Sequence, residues 1–148
     1  MKIKLMVSQE KYTEIATELI SKGYELDDEA DFILSERNVY ADYLIGKKNN
    51  EIFRLKTKSI SHIESFSNDV IAHSNGEEYK ITERLKRLEE ILDPNKFLRI
   101  SNSVIVSVDS IKSVKPAFTQ KFILTLNDGS KVDVTRTYYY IFKEFFGI

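Results

Sequence analysis

Residues 60–81 read ISHIESFSNDVIAHSNGEEYKI, two strand-forming runs joined by a short polar loop and followed by a tight turn. The runs at 60–66 and 70–73 are rich in isoleucine, valine and phenylalanine, which favour β-strands. Asn75-Gly76 is the strongest hairpin signal in the chain, because both residues readily adopt positive φ. Residues 78–81 are the expected returning strand. The segment therefore predicts consecutive β-strands with tight turns.

Downstream of this segment we expect a short helix and then more β-structure. Thr82 is the predicted cap of a helix that stops at Asp93-Pro94 and whose apolar face carries Leu85, Leu88, Ile91 and Leu92. Residues 97–108 form a long β-rich run. The runs at 122–126 and 131–134 flank a second turn, Asn127-Asp128-Gly129. A terminal helix is predicted to carry Tyr138, Ile141, Phe142 and Phe145 at helical spacing, with at least one of the three tyrosines Tyr138, Tyr139 and Tyr140 in the core.

Upstream, residues 46–51 (GKKNNE) are polar and turn-forming, and they provide the best internal boundary. We therefore expect a small segment at 1–47 and a larger domain at 48–148. The first segment predicts a βαββ order: a strand at 2–7, a helix that Ser8 caps and Gly23 ends, and two short strands further on. We expect a role for it in dimerisation or regulation.

Composition narrows the functional classes. The 148 residues include no Cys, which excludes disulfides, thiolate zinc sites and a cysteine nucleophile. No apolar stretch is long enough for a membrane span or a signal peptide, so we expect a cytoplasmic protein. Residues 51–148 carry 15 basic and 13 acidic side chains, only a weak positive excess. Glycine-rich phosphate loops and nucleophile motifs are absent, so we expect neither an enzyme nor a cofactor, and no small-molecule substrate.

Two histidines, His62 and His73, lie on predicted strands. We assign these strands to different hairpins, and we find no carboxylate at ligand spacing. We therefore interpret both side chains as ordinary residues of a sheet and expect no metal site.

Three motifs resemble the LytTR family of DNA-binding domains in order and spacing. They are ISHIES at 60–65, FLRISNSVIV at 97–106 and DGSKVDVTRTY at 128–138. The resemblance covers roughly residues 50–148. It implies a mostly β fold with short helices, in which loops between strands, rather than a recognition helix, enter the DNA grooves. The residues before it are too few for a phosphorylatable receiver domain, so we expect a stand-alone bacterial regulator.

The resemblance also implies which side chains touch DNA. Asn102 and Arg136 match the base-contacting positions of the family, and Asn68 is the best-equipped side chain of a third contacting loop. Their chemistry suits the task, because arginine pairs with guanine and asparagine with adenine in the major groove. Hydroxyl and cationic side chains provide the expected phosphate contacts: Ser67, Ser103, Thr137, Lys115, Lys121 and Arg99. A carboxylate partner that holds the fold is an equal alternative for Arg99.

The partners implied by the resemblance are double-stranded DNA, a second copy of the chain at paired promoter repeats, and a small membrane protein that restrains the regulator. The alternative is a protein-interaction or ligand-sensing β module that has lost DNA binding and antagonises related regulators. Weak positive charge favours the alternative, whereas the joint presence of Asn102 and Arg136 favours DNA binding. Convergence of Asn102, Arg136 and Asn68 on one exposed, positive face would distinguish them.

Overall fold

The computed structural model describes residues 1–36 and 40–148. Its contacts divide the chain into two compact units, Met1–Tyr40 and Ala41–Ile148. The boundary thus lies at 40/41 rather than at 47/48, because residues 43–48 form a strand that pairs within the second unit. In the described ranges, no helix combines the length and the apolar character needed to cross a membrane.

The first unit has the expected βαββ order. Its elements are β1 (Lys2–Met6), α1 (Gln9–Ser21), β2 (Glu25–Leu26) and β3 (Phe32–Ser35). β2 and β3 flank β1 and run parallel to it. Helix α1 ends where Gly23 adopts a φ of 90°, which an L side chain disfavours.

The second unit begins with an antiparallel meander that grows into a seven-stranded sheet. Its strands are β4 (Tyr43–Lys48), β5 (Glu51–Lys56), β6 (Ile60–Phe66), β7 (Asp69–Ser74), β8 (Glu77–Ile81), β9 (Phe97–Arg99) and β10 (Val104–Ser107). Their spatial order is β5-β4-β8-β7-β6-β10-β9. The strands and the turn predicted from residues 60–81 are confirmed, with Asn75 and Gly76 at φ values of 52° and 78°.

The polar stretch at 46–51 is a hairpin of this sheet and not a domain boundary. Asn49 and Asn50 form its turn at φ values of 52° and 64°. Gly46 lies inside β4, where a Cβ would come within 2.8 Å of Leu55 Cδ1 and 2.9 Å of Tyr79 Cβ. Close packing rather than a turn therefore explains this glycine.

Helix α2 (Leu85–Ile91) covers one face of the sheet. Arg84 occupies its N-cap position and makes no side-chain cap, so the predicted cap at Thr82 is wrong. The apolar face does point inward as predicted, because Leu85, Leu88 and Leu92 are buried in one core with Ile63, Ala72 and Ile105 of the sheet.

A second core lies between β10 and a smaller antiparallel sheet. This sheet contains β11 (Ile111–Ala117), β12 (Lys121–Leu126) and β13 (Lys131–Val134), and α3 (Tyr139–Phe146) follows it. Its core includes Val106, Leu124, Val134 and Phe142. Tyr138 and Tyr139 pack against the core, whereas Tyr140 is 63% exposed. Since Ile105 and Val106 belong to different cores, β10 joins the two layers.

Candidate nucleic-acid interface

An open polar cleft lies where the β9–β10 loop meets the end of β13. Asn102 and Arg136, both exposed, line this cleft together with Ser103 and Thr137. The two side chains that the sequence assigned to base contacts therefore lie on one surface, although 34 positions separate them in the chain. Ser103 and Thr137, which the sequence assigned to phosphates, lie beside them.

Hydrogen bonds to the backbone hold the Asn102 loop in shape. The Arg99 guanidinium donates to the carbonyls of Ser101 at 2.8 Å and Asn102 at 2.5 Å. Ser103 accepts a backbone bond from Ser65 at 2.7 Å, which fastens the loop to β6. With its carbonyl bonded inward, Asn102 presents its amide side chain to solvent.

Arg99 also donates to Glu89 Oε2 of α2 at 2.8 Å. All these bonds fix the guanidinium, whose side chain is only 17% exposed. The geometry corresponds to the fold-holding alternative for Arg99, since a phosphate would compete with these acceptors.

Arg136 is positioned by the turn between β13 and α3. The backbone N–H of Thr135 donates to the Ile100 carbonyl at 2.9 Å, and that of Tyr138 donates to the Thr135 carbonyl at 2.9 Å. Tyr138 in turn packs against the second core. Among the described residues Arg136 makes no salt bridge within 4 Å, which leaves its guanidinium available to a ligand.

The cleft itself is electrically balanced. Lys131 and Arg136 line it with Glu64 and Asp133. The excess of positive charge lies on the outer face of the small sheet, which adjoins the cleft. On this face Lys115 pairs with Ile123, and Ile123 pairs with Asp133, so the three side chains form one row across the strands. Lys121 lies on the same face and forms a 2.9 Å salt bridge with Asp133.

Lys131 is the cation that sequence reasoning missed. The alternation along β13 was sufficient to find it, because burial of Val132 and Val134 directs Lys131 and Asp133 to the outer face. Together Lys115, Lys121 and Lys131 give this face, here called the lysine face, three cations against Asp133. Lys131 and Asp133 also line the cleft, so Lys115 and Lys121 supply the positive excess.

Asn68 lies beside the cleft but does not line it. It is exposed in the β6–β7 turn, where Ser67 adopts a φ of 58°, and its carbonyl accepts from Arg84 at 3.1 Å. Because Val104 pairs with Glu64 in the antiparallel β6–β10 ladder, this turn and the Asn102 loop extend from the same end of the sheet. The structure thus brings Asn102 and Arg136 together and leaves Ser67 and Asn68 on an adjoining turn.

His62 and His73 are cross-strand partners in one hairpin, so their assignment to different hairpins is wrong. β6 and β7 pair directly, and the two imidazoles stack with centroids 4.0 Å apart. A carboxylate is also present, because Glu64 Oε1 lies 2.7 Å from His73 Nε2. Burial, with the nearby His73, lowers the pKa of His62 below its ordinary value and favours the neutral ring.

Comparisons with known proteins identify the family and the fold. The sequence profile of the LytTr DNA-binding domain matches residues 50–147. Transcriptional regulatory protein LytR of Staphylococcus aureus (strain N315) is 31% identical over 100 residues, which cover 68% of this chain and 41% of LytR. Sensory transduction protein LytT of Bacillus subtilis (strain 168) is 28% identical over 110 residues, 73% of this chain and 46% of LytT. The chain therefore spans less than half the length of these two relatives.

A solved structure has the same fold. It is the LytTr DNA-binding domain of a putative methyl-accepting/DNA response regulator from Bacillus cereus, with a TM-score of 0.71 and 20% identity. The match covers 73% of this chain and 99% of the solved chain. With the family profile matched over residues 50–147, the chain belongs to the LytTR family of DNA-binding domains.

Proposed function

We propose that this protein is a transcription regulator that reads double-stranded DNA with the loops of its cleft. The observation that carries the proposal is the convergence of Asn102 and Arg136, both exposed, on one surface. Arg136 donates two parallel hydrogen bonds to guanine O6 and N7, and Asn102 pairs with adenine N6 and N7. Asn68 extends the contact from the adjoining turn.

Phosphate contacts come from the lysine face and from the hydroxyls of Ser103 and Thr137. Lys115 and Lys131 are exposed, and Lys121 can exchange Asp133 for a phosphate. Such contacts fix the position of the protein on the duplex without reading sequence. Because the charges that line the cleft balance, we assign base reading to the cleft and electrostatic attraction to the DNA phosphates to the lysine face.

Two copies bind paired promoter repeats in this proposal, because one cleft reads only a few base pairs and linked domains gain effective concentration. The small membrane protein that restrains such a regulator stays a prediction from the family resemblance.

Selection from a random duplex library, followed by competition binding of the full chain, tests base reading. Arg136→Ala should cost about 1–3 kcal/mol on the selected site and relax preference at one base pair, because one bidentate contact is lost. Asn102→Ala should relax preference at a different base pair. Lys121→Ala should weaken selected and scrambled duplexes equally.

Lys86→Ala is the matched control, since Lys86 is an exposed cation on α2 outside the cleft. Its binding should equal that of the unaltered protein. Equal losses on selected and scrambled duplexes for Arg136→Ala would remove this residue from base reading. Failure to select any site would support the alternative of an interaction module without DNA binding.

A further inference from the structure

A cluster of two imidazoles and a carboxylate lies on the face of the large sheet opposite α2. His62 pairs with His73 across β6 and β7, and Glu64 follows His62 on the same face. One ligand atom from each of the three residues lies within 4.8 Å of the others. His62 is 5% exposed, whereas the side chains of His73 and Glu64 are 18% and 38% exposed, so the cluster extends from the buried ring of His62 to the solvent-facing carboxylate of Glu64.

Ser61 contacts both histidines of the cluster. Its hydroxyl lies 3.0 Å from His62 Nδ1 and 3.3 Å from the His73 carbonyl. When the hydroxyl donates to the carbonyl, it can accept from Nδ1–H of His62, and the lone pair of His62 Nε2 is then free to act as a ligand. Binding of a cation at Nε2 would select this tautomer.

His73 lies between two carboxylates. Its Nε2 lies 2.7 Å from Glu64 Oε1, and its Nδ1 lies 3.9 Å from Glu78 Oε1. If a cation replaces the hydrogen between Nε2 and Glu64, Nδ1 can carry the proton and face Glu78. A carboxylate hydrogen-bonded behind a ligating imidazole is a usual orienting partner in metal sites, and Glu78 must approach by about 1 Å to make this bond.

We propose that His62, Glu64 and His73 form a binding site for a divalent transition-metal ion, with Zn²⁺ the best fit. Two neutral imidazoles and one carboxylate are a zinc ligand set that leaves the fourth position to water. With tetrahedral bonds of about 2.0–2.2 Å, ligand atoms lie about 3.4 Å apart. The widest pair in the cluster must therefore close, and the stacked imidazoles must rotate out of their parallel arrangement so that both nitrogens point to one ion.

The proposed metal site adjoins the cleft, but metal binding there does not require that the cleft bind DNA. Glu64 lines the cleft beside Ser103 and Val104, so a bound cation would lie at the edge of the surface that carries Asn102. Binding of the metal is nevertheless measurable in the absence of DNA.

The experiment uses the tag-free full chain, treated with a chelator and then titrated with Zn²⁺ against a chromophoric competitor. One Zn²⁺ per chain should bind with micromolar or tighter affinity, and Co²⁺ in its place should give the visible absorption of a tetrahedral site. The chain contains no Cys, so thiolates cannot contribute to either signal.

Glu64→Gln and His73→Gln should each lower the Zn²⁺ affinity at least about tenfold, because each removes one of three ligands. Glu51→Gln, an exposed position of β5, is the matched control and should bind as the unaltered protein does. Circular dichroism shows whether each variant keeps its fold. Absence of stoichiometric binding to the unaltered chain, or affinities that neither substitution changes, would overturn the proposal.

Discussion

The backbone N–H of Thr135 donates to the backbone carbonyl of Ile100 at 2.9 Å. This bond joins the segment that carries Arg136 to the loop that carries Asn102. Thr135 has φ and ψ of −82° and 165°, which proline can adopt, and its N–H is the group that proline lacks. The relationship between the two residues that we propose read bases can therefore be tested with one substitution.

Thr135→Pro should lower affinity for the selected duplex by about tenfold, because Arg136 loses its fixed position relative to Asn102. The cost to the free energy of unfolding should be about 1–3 kcal/mol, because the carbonyl of buried Ile100 loses this donor. Thr135→Val keeps the N–H and removes the hydroxyl, so it should bind normally. Equal binding by both variants would mean that the bond does not align the two loops.

The lysine face should control the salt dependence of binding. If about four to six phosphates are neutralised, log K should fall with log salt at a slope of about −4 to −5. Lys115→Ala and Lys131→Ala should each make the slope shallower by about 1, because each removes one phosphate contact. Fluorescence anisotropy over a range of salt concentrations measures this, with Lys86→Ala as the control. A flat salt dependence of the unaltered protein would contradict docking through this face.

Arg99 should stabilise the Asn102 loop rather than bind DNA directly. Arg99→Ala should lower the free energy of unfolding by about 1–3 kcal/mol, since hydrogen bonds to a charged group are lost. Arg99→Lys should rescue little, because one ammonium cannot span Glu89 and two backbone carbonyls. Thermal unfolding ranks the variants. The salt slope of DNA binding should not change, and a slope reduced by about 1 would instead assign Arg99 to a phosphate.

Local sequence patterns predicted most strands. The predictions failed at positions where packing against distant residues determines which amino acid is present. The turn at Asn75-Gly76 requires positive φ, which sequence reveals. Gly46 resembled a turn residue, although it lies inside β4 against Leu55 and Tyr79. β11 also escaped prediction, because Pro116 interrupts its pattern; this strand forms one edge of the small sheet, where a proline is tolerated.

The residues of the candidate site that lie within family motifs were predictable from the sequence. Asn102 and Arg136 stand within two such motifs, and the fold brings those motifs to one cleft. The His62–His73 pair depends on strand register, and a shift of one residue would turn each side chain to the other face. Register emerges from the whole sheet, so spacing along the chain could not reveal this pair.

We expect the first unit to have a role in self-association. Its sheet ends at β3, an edge strand whose Phe32, Ile33 and Leu34 are all exposed. An exposed apolar edge can pair with a second copy of the same strand. A fragment of residues 40–148 keeps the second unit complete, including the bond from the Ala41 N–H to the Ile91 carbonyl at 2.8 Å.

This fragment should bind a single repeat as the full chain does and should lose cooperative binding to two repeats, because the copies no longer gain effective concentration from each other. A fragment starting at Lys48 is the informative contrast. It deletes most of β4, including buried Leu44, and leaves β5 and β8 without their shared partner, so it should fail to fold. Sedimentation and binding to one-repeat and two-repeat duplexes distinguish these outcomes. Unchanged cooperativity in the 40–148 fragment would place self-association in the second unit, because that unit would then pair on DNA without the β3 edge.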